Sequence, residues 1–291
     1  FNTPEHKLVD HFTYALVSDG DLMEGISHEA ASLAGHLGLG KLVYLYDDNA
    51  ITIEGETELA TSEDTAGRFE SYGWQVQKID GHDRQAIAAA LESARTETAK
   101  PSIIIAKTTI GFGSPNKSGT SGVHGSPLGD EECGLTREAL GWNHPECTVP
   151  DEVRELFLEP GTAGAEKHSA WNELFADYRE KNPEKAADWD RMQAGDLPAD
   201  LRESLPVFES SEGSIATRAA SGKVINAIAD VIPELIGGSA DLAPSNNTMV
   251  KDQGSIQGDR MDARNMHFGI REHAMGAMMN GMALHGGIRP Y

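Results

Sequence analysis

Phe12-Thr-Tyr-Ala-Leu-Val-Ser-Asp-Gly-Asp21 and Leu42-Val-Tyr-Leu-Tyr-Asp-Asp-Asn-Ala-Ile51, joined by one amphipathic stretch, decide how this chain folds. Phe12 to Val17 is short, mostly apolar and rich in β-formers, and it runs into the acidic turn Ser18-Asp19-Gly20-Asp21. Leu22, Met23, Ile26, Ala30, Leu33, Ala34 and Leu37 then recur at helical spacing until Gly38 and Gly40 stop the run. Leu42 to Tyr46 is a second apolar strand, ending on Asp47-Asp48-Asn49. Strand, helix and strand of this length predict a βαβ unit with parallel strands and a right-handed crossover. Asp19 and Asn49 then lie at the carboxyl ends of strands in one sheet, the edge where open α/β sheets bind ligands. One carboxylate, one amide oxygen and a nearby backbone carbonyl are hard oxygen donors. They suit Mg²⁺ or Ca²⁺, with phosphate oxygens completing the shell. A helix starting at Asp21-Leu22 would add backbone N–H groups directed at an anion.

These residues resemble the thiamine-diphosphate motif, Gly-Asp-Gly followed about thirty residues later by Asn, in its transketolase form. Ser18 stands in place of the first glycine, while Asp19 and Asn49 keep both ligand positions. The run Asp19 to Gly55, with MEGISHEAASLAG and DDNAITIEG, is far more specific than the three-residue motif. The resemblance implies that Asp19, Asn49 and the carbonyl of Ile51 hold Mg²⁺, with Ca²⁺ as a substitute ion, and that Gly20 lies against the diphosphate. It covers nearly all of this chain but only the middle of the family's length. With Phe1 rather than Met at the start, an internal piece of a longer protein is expected.

The 291 residues suffice for two domains with a sizeable core. A balance of 24 basic against 46 acidic side chains, net −22, argues against nucleic acid and anionic membrane as partners. Cys133 and Cys147 form no CxxC and no metal-ligand pattern, and read as reduced residues of a cytoplasmic protein. No run approaches the roughly 18 apolar residues of a membrane span.

Beyond the first unit, a helix at 63–72, a strand at 74–79, a helix at 85–98 and the strand Ser102 to Lys107 continue the alternation. The predicted fold class is α/β, with parallel sheets covered by helices. His82 reads as a turn residue. Gly35 to Lys41 imitates a P-loop, but Leu42 stands where Ser or Thr must bind Mg²⁺, and the helix-to-strand order is reversed. No GxGxxG follows a strand, which sets a nicotinamide enzyme aside. Helical spacing returns at 151–158 and 167–192, separated by an expected break at Glu159-Pro160-Gly161, with Trp171, Leu174, Phe175 and Tyr178 on one face. The expected division is a diphosphate-binding part at 1–145, a helical linker at 146–212 and the start of a pyrimidine-binding part at 213–291.

Four further segments carry candidate chemistry. Ile110 to Gly129 is a long loop of turn formers over the same sheet edge as Asp19. Its ending resembles the transketolase sequence Val-His-Gly-x-Pro-Leu-Gly. This implies that Ile110 packs beside the thiazolium and that His124 reaches cofactor and substrate, whereas the residues alone also allow a solvent-exposed histidine. Thr217-Arg218 and Gly237-Gly-Ser-Ala-Asp241-Leu-Ala-Pro-Ser245-Asn resemble transketolase segments in which Arg218 and Ser245 would bind the sugar phosphate and Asp241 would lie buried near the cofactor. A guanidinium fork and a hydroxyl suit a phosphate; a surface arginine, a turn serine and a capping aspartate are the plainer alternatives. Gly269-Ile-Arg-Glu272-His-Ala-Met resembles the family's GxREHAM segment, at the start of a helix that looks wholly buried. There Glu272 would bond the aminopyrimidine and favour the imino form that takes the C2 proton, with burial keeping a proton on the carboxyl. Without the resemblance it reads as a cap or as an ion pair with Arg271.

The function implied by resemblance is thiamine-diphosphate- and Mg²⁺-dependent transfer of a two-carbon ketol unit from a ketose phosphate to an aldose phosphate, in pentose-phosphate or Calvin-type metabolism. The family's cofactor lies between domains of two subunits. Asp19 and Glu272 of one chain would then serve different sites of a homodimer. Alternatives are a dihydroxyacetone synthase-like ketol transferase, a truncated non-catalytic relative, and a Mg²⁺-dependent phosphatase with an Asp nucleophile.

Overall fold

The computed structural model describes residues 1–291. In chain order the elements are β1 (Thr13–Ser18), α1 (Asp19–Met23), α2 (Gly25–His36), β2 (Leu42–Asp48), α3 (Thr65–Ser71), β3 (Gln75–Asp80), α4 (Arg84–Thr96), β4 (Ser102–Lys107) and α5 (Asp130–Ala139). There follow α6 (Asp151–Lys181), α7 (Pro183–Ala194), α8 (Leu201–Ser204), α9 (Thr217–Ala229), β5 (Leu235–Ser239), α10 (Ala243–Asn246), β6 (Asn265–His267), α11 (Glu272–His285) and β7 (Arg289–Pro290). They form two compact units that interleave along the sequence: one comprises 2–25 and 39–177, the other Phe1, 26–38 and 178–291.

The first unit holds a sheet in the order β1-β2-β4-β3, with every pair parallel, as the βαβ reading requires. Ser18 lies opposite Asp47, and Asp48 opposite Lys107, so the acidic turns meet at one edge. The inner strand β4 has Ile103 and Ile104 fully buried, and Val43, Ile104, Ala90 and Ala94 form a core cluster between sheet and α4. Asp83 starts α4 by accepting from the N–H groups of Gln85 (2.8 Å) and Ala86 (3.2 Å), a side-chain N-cap. Phe69, Trp74, Tyr44 and Tyr72 pack ring to ring under α3.

The second unit is a parallel sheet in the order β6-β5-β7, with Ala229, Ile232, Leu235 and Val250 as its core. A Cβ on Gly238 would fall 1.8 Å from the carbonyl oxygen of Met266, so only glycine lets β5 lie this close to β6. Asn265 is fully buried and crosslinks the loop before β6, accepting from Val250 N and donating to the carbonyls of Val250 and Gly254, all at 2.8 Å.

Three sequence expectations are corrected. The single helix after Gly20 is two, because Glu24 adopts an extended conformation (φ −63°, ψ 134°) between α1 and α2. The break at Glu159-Pro160-Gly161 is absent: α6 runs through Pro160. Proline removes the bond to the carbonyl four residues back, here that of Leu156, but this turn is open to solvent that can serve the freed oxygen. Finally, α11 buries only Ala274; Met275 and Met278 pack against the cluster of Leu33, Leu37 and Phe268, while Leu284 on the outer face is 89% exposed.

Candidate active site

The acidic edge of the first unit is built by neighbouring strands. Asp19, the first residue of α1, is buried, and its Oδ1 accepts the hydroxyl hydrogen bond of buried Tyr46 on β2. Burial raises the Asp19 carboxyl above its ordinary range; the Tyr46 hydrogen bond opposes this, and the charges of Asp48 and Asp47 add to it. Tyr46 is itself pushed up by burial and by Asp19. Asp21 reaches back to accept from the Ser18 N–H (2.8 Å) and hydroxyl (2.9 Å), which fixes the turn around Gly20.

Across the strand pair, Asn49 Oδ1 accepts from the Ile51 N–H at 3.0 Å, and its amide donates to Asp47 Oδ2 at 3.2 Å. The Asp48 carboxylate faces Lys107 Nζ at 3.4 Å, and Asp47 accepts from the Thr108 hydroxyl. Asp19, Tyr46, Asp48 and Lys107 line a pocket of about 440 Å³ with Thr57, Glu58 and neighbouring residues.

Gly20, Asn49 and Ile51 do not line this pocket, but with Asp19 they give the sheet edge donors that suit a diphosphate bridged by a hard cation. Asp19, Asn49 and the Ile51 carbonyl offer oxygens only, as Mg²⁺ and Ca²⁺ prefer. No cluster of three or more His, Cys, Asp or Glu is arranged to hold a metal unaided, so ligand oxygens would have to complete the shell. A Cβ on Gly20 would meet nothing closer than Ser18 Oγ at 4.0 Å. Packing within the chain does not require glycine there, and its absent side chain leaves the approach open.

Ile110 and His124 sit on the loop leaving β4, as expected, with Ile110 half-buried and His124 exposed. The loop is ordered by contacts that the sequence did not announce. Gly119 N donates to Ile110 O at 2.8 Å, and Gly111 (φ 64°) lies against Val123. Buried Glu132 on α5 accepts from the Ser114 hydroxyl, the Asn116 N–H (2.8 Å) and the Asn116 side chain (2.9 Å). Those donors, Ser114 first, hold its carboxyl below the usual carboxylate range. A capping-range glutamate surrounded by turn formers gives no pattern that singles it out.

In the second unit Arg218 lies exposed in the first turn of α9. Asp241 and Ser245 follow β5, both exposed. Asp241 is not buried as the resemblance implied; it takes a left-handed conformation (φ 62°) and lines a pocket of about 350 Å³ with Ser239, Met266, His267 and Gly269. Glu272 opens α11, but it is exposed rather than buried. Both plainer readings of it lose ground. Arg271 turns to the Phe268 carbonyl (3.0 Å) and the Ser32 hydroxyl (3.1 Å), and the Ala274 N–H at the helix start is taken by Glu29 at 2.9 Å.

Parallel sheets with an oxygen-donor edge and an open glycine turn define the class as an α/β protein whose strand ends suit an anion bridged by a hard cation. The comparisons narrow it. Residues 1–198 match the transketolase thiamine diphosphate binding domain and residues 213–291 the transketolase pyrimidine binding domain, so the chain belongs to the transketolase family. It is 51% identical over 297 residues to the transketolase of Geobacillus stearothermophilus, and 48% identical over 296 residues to transketolase 1 of Escherichia coli. Each match covers 100% of this chain and 44% of the relative. Among solved structures, it resembles the Pichia stipitis transketolase complex with sedoheptulose 7-phosphate (TM-score 0.95, 42% identity, 99% of this chain and 44% of that one). The Leishmania mexicana transketolase is equally similar in shape (TM-score 0.96, 38% identity, 100% and 43%). The chain thus spans less than half the length of the relatives it matches.

No helix is long and apolar enough to cross a membrane. Both cysteines are free and exposed.

Proposed function

We propose that this chain is part of a cytoplasmic transketolase, a homodimer that moves a two-carbon ketol unit from a ketose phosphate to an aldose phosphate. The observation that carries the reading is the buried Asp19 carboxylate, fixed by Tyr46 and followed by the open Gly20. Burying a carboxylate is unfavourable unless a cation or donors compensate it, and a divalent ion with diphosphate oxygens supplies that compensation.

Thiamine diphosphate, when bound, supplies the electron sink for carbanion chemistry. Asp19, Asn49 and the Ile51 carbonyl would hold Mg²⁺, and Gly20 would let the diphosphate approach the backbone. Ile110 would offer an apolar surface to the thiazolium. His124 is an exposed imidazole able to hydrogen-bond a sugar oxygen and move a proton there. Arg218 and Ser245 bind the sugar's phosphate through a guanidinium fork and a hydroxyl. Glu272, with no ion pair or cap to maintain, would share a proton with a pyrimidine nitrogen, and Asp241 lines a pocket with Met266, His267 and Gly269. In such a homodimer Asp19 of one subunit and Glu272 of the other would serve one cofactor.

The test is ketol transfer from sedoheptulose 7-phosphate to an aldose phosphate by the complete polypeptide carrying this sequence. Transfer that requires both thiamine diphosphate and Mg²⁺ and is lost in Glu272→Ala is expected. Hydrolysis of the sugar phosphate without the cofactor would support a phosphatase instead.

A further inference from the structure

We propose that His82 is a positioning residue whose ring holds the start of the loop bearing Ile110 and His124. The idea deepens the function proposed above and rests on it for what the loop does. β3 and β4 end side by side, with Asp80 opposite Lys107, so the turn after β3 borders the chain as it leaves β4. Gly81 N donates to Lys107 O at 2.8 Å, and a Cβ on Gly81 would lie 2.5 Å from Thr108 Cγ2, so glycine is needed for this approach. His82 follows. Its Nε2 accepts the Thr109 N–H at 3.0 Å, and its ring stacks on Phe112 with centroids 4.1 Å apart and planes 23° from parallel.

The two contacts straddle Ile110. From there the connection runs on through the loop: Gly119 N bonds Ile110 O, Gly111 packs on Val123, and His124 N bonds Ser121 O at 3.1 Å. The turn carrying His82 is braced independently, since Asp80 Oδ1 accepts the His82 N–H at 2.9 Å and Asp83 caps α4. His82 is exposed and serves no core, so its ring's two partners both belong to this loop. An accepting Nε2 places the ring proton on Nδ1. A ring of this kind gives the loop a fixed origin before any ligand arrives, which lowers the ordering cost of binding.

The test compares the 291-residue chain with His82→Phe, which keeps a flat ring but no acceptor, and His82→Gln, whose amide oxygen can take the place of Nε2. Amide hydrogen exchange is followed across 108–124 without cofactor, using β3 and α4 as internal reference. In His82→Phe the Thr109 amide and the loop behind it should exchange roughly three- to tenfold faster. His82→Gln should restore Thr109 protection, and thiamine diphosphate affinity with Mg²⁺ should fall and recover in the same order. Unchanged exchange in His82→Phe, equal loss in both variants, or loss spreading into β3 and α4 would overturn the proposal. If the unaltered chain binds no cofactor, the proposed function loses support while the exchange data still judge His82.

Discussion

Tyr46 on β2 donates its hydroxyl hydrogen bond to Asp19 at the end of the neighbouring β1, and both side chains are buried. One carboxylate oxygen is thereby committed to the protein and the carboxylate plane is set. Residues that orient a metal ligand commonly alter metal affinity about 10- to 100-fold when removed. Tyr46→Phe should therefore weaken Mg²⁺ binding, measured by calorimetry in the presence of thiamine diphosphate, by that factor without loss of helix signal. Unchanged affinity would mean that the tyrosine serves packing alone.

Asp19 should cost the ligand-free chain stability. Its carboxyl is raised by burial above the ordinary 3.8. A group raised on folding stabilises fully below its unfolded value, and that contribution is lost as pH rises through the folded value. Asp19→Asn should accordingly increase the urea midpoint of the metal-free chain at neutral pH, and the difference should disappear below about pH 3.8. An equal or lower midpoint at neutral pH contradicts this.

Glu234 behaves in the opposite sense. It is 3% exposed and is gripped by Arg191 through two bonds of 2.7 and 2.9 Å and by Arg289 at 3.3 Å. Burial alone would raise its carboxyl, but the Arg191 fork and Arg289 outweigh that and hold it below the ordinary 4.5. The stability it contributes is present above 4.5 and is lost as pH falls through the lowered value. Glu234→Ala removes the buried carboxylate shared by two guanidinium groups, leaving Arg191 only the more distant Asp188 (3.7 Å) as an ion partner, and should destabilise the second unit by about 3 kcal/mol at pH 7, read from denaturant unfolding.

Glu132 ties the His124 loop to α5. Glu132→Ala should raise amide exchange at Ser114 to Lys117 several-fold while leaving β4 protected. Exchange rising equally throughout the first unit would show that Glu132 supports the unit as a whole.

Much of this was legible in the sequence because it rests on periodicity and turn chemistry. The strand–turn–helix–strand order around Asp19 and Asn49 follows from apolar runs bounded by acidic turns, and the parallel pairing of β1 with β2 follows from the crossover, while the register that sets Ser18 opposite Asp47 does not. Three-dimensional partners were not legible. Tyr46 looked like one more apolar strand residue, and its hydroxyl matters only because β1 ends beside it. His82 looked like a turn residue until Thr109 and Phe112 were placed against it. Small residues and methionines made α11 look enclosed, but composition cannot say how many faces of a helix are covered. Pro160 predicted a break by local propensity, and an exposed turn tolerated it.

The most direct test is calorimetric titration of thiamine diphosphate into this chain, with and without Mg²⁺, beside Asp19→Ala. Binding that requires Mg²⁺ and disappears in Asp19→Ala is expected. Equal binding by both proteins, or binding indifferent to Mg²⁺, would contradict the assignment of the Asp19–Asn49 edge as the diphosphate site.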